Sequence, residues 1–225
     1  MENIDSILET GERMPWYNVW IDVTTAPSRE TFRHILADPA ASPFRAYVWI
    51  GLVSLMFFFL QMLVLQVTGS DVLDQALPGT MTWALLCGGI AAPVVAVVGF
   101  MINTAILHFI AGLLGGRGSY DDLAFSMGAI QAPLTIFSGL ISVITTLFSA
   151  SGSVSPLLIV MALLSLALGM YALVLQVLAV SVAEKMGTGM AALAVLMPLF
   201  LVMVLTGCLV VFALANAPEL LGRGL

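Results

Sequence analysis

Five stretches of the chain run apolar without a break, at residues 46–67, 82–114, 123–148, 157–183 and 190–215, and none of them holds an Asp, Glu, Lys or Arg. A helix needs about 20 residues to cross a hydrocarbon core of roughly 30 Å, and every stretch is longer than that. The strict alternation of a lipid-facing barrel strand is absent. Helices are then the remaining way to satisfy the backbone in lipid. The pattern predicts an all-α fold, an integral membrane bundle of five transmembrane helices. The second stretch exceeds what an upright span requires, so a kink at Pro93 or Gly99 is expected; a re-entrant pair is the competing arrangement.

Ahead of the first stretch lie two shorter periodic segments. Trp16, Val19, Trp20 and Val23 recur at helical spacing behind Pro15, a residue suited to a first helical position. Phe32, Ile35 and Leu36 share a face opposite Arg29, Glu30 and Arg33, with Ser28 placed as an N-cap. Both are too short to span. They read as amphipathic helices in the membrane interface, with Trp16, Trp20 and Phe32 anchored at headgroup level and Arg29 and Arg33 reaching phosphates. Packing against the bundle's own loops is the alternative. The expected organisation is a cytoplasmic segment 1–45, a transmembrane domain 46–215 and a short exterior tail 216–225.

The orientation follows from the basic residues. With five spans, Arg13, Arg29, Arg33, Arg45, Arg117 and Lys185 fall on one side and only Arg223 on the other. The positive-inside rule then puts the N-terminus in the cytoplasm and the C-terminus outside. Splitting the second stretch would destroy this bias. The opening residues 1–16 are acidic and lack an apolar core, so the first span is expected to act as the insertion signal.

Composition adds exclusions. Of the 225 residues, 60% are hydrophobic and 9% charged. Soluble domains carry about 25% charged residues, so a soluble enzyme or a disordered tail is ruled out. The net charge is −6 with seven basic residues, which excludes a nucleic-acid partner. Cys87 and Cys208 sit alone in apolar runs and read as inert packing residues.

Within the spans the polar side chains are few. His108 is the one ionisable group, on a stripe with Ala92, Ala96, Thr104, Gly112 and Gly116. It reads as an imidazole bonded across a packing seam or as a group titrating near neutral pH. Gly112 and Gly116 have the spacing that lets helices approach closely, as do Ser165 with Gly169, Ala124 with Gly128, and Ala179 with Ala183. Gln61, Asn103, Gln131 and Gln176 either bond between helices or, with His108, line a polar crevice. No intramembrane carboxylate is present, which argues against proton-coupled transport. The run from Gly115 through Gly116, Arg117 and Gly118 to Ser119 looks superficially like a phosphate-binding turn. It lacks a following Lys-Ser/Thr, and Asp121 and Asp122 stand where an anion would sit. Ser119 is better read as the N-cap of the third span with Asp122 at its third position. Asp121, Asp122 and Glu184 are expected to gather with Arg117 and Lys185 as a solvated loop cluster. No catalytic or metal-ligating constellation can be assembled, and no cofactor is expected.

These residues resemble the Ypt-interacting-protein (Yip) domain family of multi-pass membrane proteins, in its prokaryotic type. The likeness spans roughly residues 16–215. It rests on Pro27-Ser28-Arg29-Glu30-Thr31-Phe32-Arg33, on Leu113–Tyr120 (LLGGRGSY) followed by Ala132-Pro133, and on the stretch from Tyr171 to Pro198. The resemblance implies five helices with a cytosolic N-terminus and Gly115, Gly116, Gly118 and Ser119 in the family's second loop. Eukaryotic members are linked to Rab-type GTPases and vesicle traffic, and they carry an acidic segment and a longer cytosolic tail. This chain has neither, so GTPase binding is not expected. The functional expectation is a non-enzymatic membrane adaptor or accessory subunit acting through helix contacts, with lipids and other membrane proteins or its own copies as partners. Small-solute transport or lipid handling is one alternative, and membrane shaping or trafficking another.

Overall fold

The computed structural model describes residues 13–67, 80–149 and 156–216. Among these, seven helices and no strands occur. The two short ones are α1 (Trp16–Thr25) and α2 (Arg29–Leu36); the long ones are α3 (Pro43–Val67), α4 (Thr80–Leu113), α5 (Tyr120–Ser149), α6 (Pro156–Ala183) and α7 (Thr188–Asn216). All five long helices are apolar enough over 18 residues or more to cross a membrane. The second apolar stretch is one helix, α4, with Pro93 inside it. No re-entrant pair forms. The expected tail beyond 216 lies outside the described residues.

Local signals act as the sequence suggests. Ser28 Oγ accepts the Thr31 N–H at 3.0 Å, starting α2, and Ser119 Oγ accepts the Asp122 N–H at 3.1 Å, starting α5. Pro15 precedes α1 as its N-cap rather than opening it.

Helix α5 is the hub, packed against α3, α6, α1 and α2. Close approach depends on small residues. A Cβ at Gly128 would overlap Ala46 on α3, and one at Gly139 would overlap the Phe57 ring. Each glycine is a socket into which α3 fits. The pairing of Ala179 and Ala183 is buried on α6. By contrast, Ser165 and Gly169 face outward, with open space beside Gly169. Cys87 and Cys208 are free and exposed on the outer helix faces, not packed inside.

Burial is concentrated at one end of the bundle, the end that carries α1, α2 and the turns joining α4 to α5 and α6 to α7. There residues 123–130 of α5 and 179–184 at the close of α6 are buried. Toward the other end, residues 87–99, 135–148, 156–174 and 200–211 include no buried side chain.

The two short helices cover the packed end, and here the structure departs from the expectation of a lipid-lying pair. Val19, Val23, Phe32 and Ile35 are each 0% exposed, sealed against α5 and α6. Phe32 is therefore a core residue, not an interfacial anchor. Trp16, Tyr17 and Ile21 form the outer side of α1, about half exposed. An amphipathic stripe is satisfied equally by lipid or by protein; the bundle end supplies the apolar surface first.

Arg45, two residues into α3, ties this cap down. Its Nη1 pairs with Asp38 Oδ2 at 3.1 Å, its Nη2 donates to the Met14 carbonyl at 2.6 Å, and its guanidinium lies 5.1 Å from the Trp49 ring centroid. Trp49 continues the stack to Trp20 at 5.8 Å and Phe125 at 5.6 Å. Asp38 has no exposed side-chain surface. Arg45→Met is expected to strand that carboxylate and cost about 3 kcal/mol, as for breaking a buried ion pair. The Asp38→Asn/Arg45→Met double variant should lose less than the two single variants together, measured by unfolding in mixed lipid–detergent micelles.

Candidate functional site

Two helix ends meet at the packed face, and both close with the same backbone device. At the end of α4, the Gly116 N–H donates to the Ala111 carbonyl at 2.8 Å and the Gly115 N–H to Gly112 at 3.1 Å, with Gly115 at φ +91°. At the end of α6, the Met186 N–H donates to Ser181 at 3.1 Å and the Lys185 N–H to Val182 at 3.2 Å, with Lys185 at φ +54°. Each is a left-handed C-terminal cap that returns the chain across its own last turn. Glycine fills the left-handed position in the first; in the second a lysine holds it, at a cost of about 1 kcal/mol or more.

The two caps lie side by side. The Arg117 N–H donates to the Glu184 carbonyl at 2.9 Å. A Cβ at Gly118 would overlap the Ala183 carbonyl oxygen, and one at Gly116 would meet Ala111 O at 2.9 Å. Of the glycines expected to be a family-like loop, Gly115 is thus required for its left-handed backbone and Gly116 and Gly118 for backbone-on-backbone contact, and no phosphate cradle is needed to account for them.

Into this junction Glu184 turns its side chain. The residue is 0% exposed. Its Oε1 shares a 2.6 Å hydrogen bond with His108 Nδ1, and its Oε2 accepts the Gly118 N–H at 3.3 Å. His108 lies edge-on to Tyr120 with centroids 6.0 Å apart, and the Tyr120 hydroxyl lies 3.3 Å from that of Tyr47. The polar chain Glu184, His108, Tyr120 and Tyr47 therefore joins α6, α4, α5 and α3.

The expected loop cluster is accordingly divided. Glu184 points inward and is not solvated. Asp122 and Lys185 face a cleft of about 530 Å³ together with Arg29, Arg33, Leu36, Ala37 and residues 181–183. Asp121 and Arg117 are exposed. Among the described residues no group of three His, Cys, Asp or Glu side chains is placed to hold a metal.

The polar residues of the spans also separate. Asn103 and Gln131 line an intramembrane cleft of about 480 Å³ between α3, α4 and α5, with Ser54 and Thr135. Gln61 lies elsewhere, its Nε2 donating to Ser142 Oγ at 3.3 Å. His108 belongs to the Glu184 junction, and Gln176 is half-buried on α6. Gly112 is exposed with open space beside it, and Gly116 lies past the helix end, so the pair forms no helix–helix seam. Sequence reasoning missed the His108–Glu184 pairing, and with it Arg45 and Asp38. The available signal was positional: Glu184 directly adjoins the end of a span, where a buried carboxylate is within reach of the span's neighbours.

His108→Ala leaves the buried carboxylate with one hydrogen-bond donor and is expected to lower stability by about 2 kcal/mol. Glu184→Gln should cost a similar amount. The double variant should lose clearly less than the sum, by a double-mutant cycle on unfolding in lipid–detergent micelles. Gly118→Ala should be worse than either, because no side-chain movement clears a backbone carbonyl.

The architecture on which this junction is built can be compared with known proteins. No curated protein and no solved structure matches the chain. A family model described as the Yip1 domain matches residues 21–210, which takes in α2 to α6 entirely, half of α1, most of α7, and every residue of the junction. The chain belongs to the Yip1 domain family of multi-pass integral membrane proteins.

Proposed function

We propose that the protein is a non-enzymatic membrane adaptor or accessory subunit, working through helix contacts in the bilayer with its N-terminus cytoplasmic. One observation carries this reading. Every side chain from 200 to 211 on α7 is exposed, and so are most of those from 156 to 174 on α6. Three turns of apolar helix in α7 that no described element covers leave room for a partner's transmembrane segment or a second copy. The opposite end, locked by Glu184 and Arg45, would hold those helices at a fixed splay.

Single cysteines at Val202, Leu205 and Leu209, in a Cys87→Ser/Cys208→Ser background, are expected to form one discrete cross-linked adduct in native membranes. A protein that stays monomeric in lipid nanodiscs at native expression, with no adduct at any of these positions, would sink the proposal.

The cleft containing Asn103 and Gln131 favours a second reading, passage of a small solute or a lipid headgroup. It predicts that folded protein in liposomes supports flux or lipid scrambling that Asn103→Leu/Gln131→Leu removes; no activity from the wild-type protein discards it. Membrane shaping by α1 and α2 gains no support, because Val19, Val23, Phe32 and Ile35 are already buried in the bundle.

A further inference from the structure

Seven Lys and Arg residues serve the whole of a chain whose net charge is −6, yet three of them converge on one cleft. Arg29 and Arg33 stand one turn apart on α2, and Lys185 faces them from the end of α6. Asp122 is the one carboxylate in the lining. Among the described residues, none of the three cations has a carboxylate within ion-pair distance, since the ion pairs are Arg45 with Asp38 and His108 with Glu184. Arg29 spends one donor on the Met186 carbonyl at 3.4 Å, which fixes its place without neutralising it.

Like charges gathered around one unpaired carboxylate repel. Arg33 and Lys185 each suit the C-terminal end of a helix, but that preference gives no reason for Arg29 to join them. The backbone shows further commitment. Lys185 occupies a left-handed conformation that glycine would adopt more easily, while a glycine is the residue after next. Leu36, Ala37, Val182 and Ala183 make part of the lining apolar, and the volume of about 530 Å³ falls within the range of small-molecule sites. It opens beside the last turn of α6, where the candidate span Pro156–Ala183 ends. Phosphate oxygens are the ligand that a guanidinium pair and an ammonium recognise together.

We infer that this cleft binds a phosphate-bearing anion, and its place at the end of a span, with apolar side chains in its lining, makes the source the headgroup of an anionic phospholipid. Arg29 and Arg33 engage the phosphate oxygens, Lys185 completes the charge, and Asp122 offers an acceptor to a headgroup hydroxyl. The inference stands independently of the adaptor reading, since it concerns a different face and needs no protein partner.

The test uses the full chain in nanodiscs of phosphatidylcholine, with phosphatidylglycerol added in steps at constant ionic strength and thermal unfolding as the readout. A saturable rise in unfolding temperature is expected with phosphatidylglycerol. Arg33→Gln and Lys185→Gln should each raise the half-saturating lipid fraction about tenfold, as loss of one charge-assisted hydrogen bond implies. Arg117→Gln, which removes an exposed cation outside the cleft, should leave it unchanged. Arg33→Lys should retain most of the response and guards against a folding defect. A second arm titrates inorganic phosphate into phosphatidylcholine nanodiscs. Response to phosphate but not to phosphatidylglycerol keeps the site and overturns the lipid as its source. Response to neither, or an equal loss in Arg117→Gln, overturns the site.

Discussion

A carboxylate taken out of water must find donors or it unfolds what surrounds it, and Glu184 imposes this requirement on the packed end of the bundle. Its neighbours meet it from three directions: an imidazole from α4, an amide from the glycine turn, and the Arg117 amide on its own carbonyl. Satisfying one side chain thereby fixes the exits of α4 and α6 and the entry of α5. That platform in turn gives Phe32 and Ile35 a surface to bury. Buried ion pairs of this sort contribute little net stability over an apolar core, but removing one partner is costly. The junction therefore enforces a particular arrangement more than it adds stability.

The fold was legible because lipid is a strict solvent. It fixes span length, excludes charge and forbids unpaired backbone, so the five spans, the Ser28 and Ser119 caps and the integral membrane character could all be read along the chain, while the continuity of α4 through Pro93 could not. What could not be read is which way a side chain turns at a boundary. Glu184 sits among loop residues, and a loop acid is ordinarily solvated. Phe32 lies on an amphipathic stripe that fits lipid and protein alike. The Gly112 and Gly116 spacing looks like a helix seam, but the helix ends between them at Leu113. The first two depend on contacts tens of residues away in sequence, which periodicity does not encode; the third turns on the left-handed cap at Gly115, which interrupts the period locally.

The bundle is also uneven along the membrane normal. Tight at the end carrying α1 and α2, it relaxes toward the other, where α6 and α7 have few neighbours among the described residues. A protein built only to be a stable bundle would pack both halves. The division suits a rigid base that carries open helices, with basic residues gathered at the base and apolar surface displayed beyond it.

The His108–Glu184 link spans 76 residues, and Gly118 waits 66 residues for the same carboxylate. Chain order means that every residue of α4 and α5 is synthesised before the keystone is made. Until then the imidazole has only its Tyr120 neighbour to lean on, and the junction can close no sooner than the end of α6 exists.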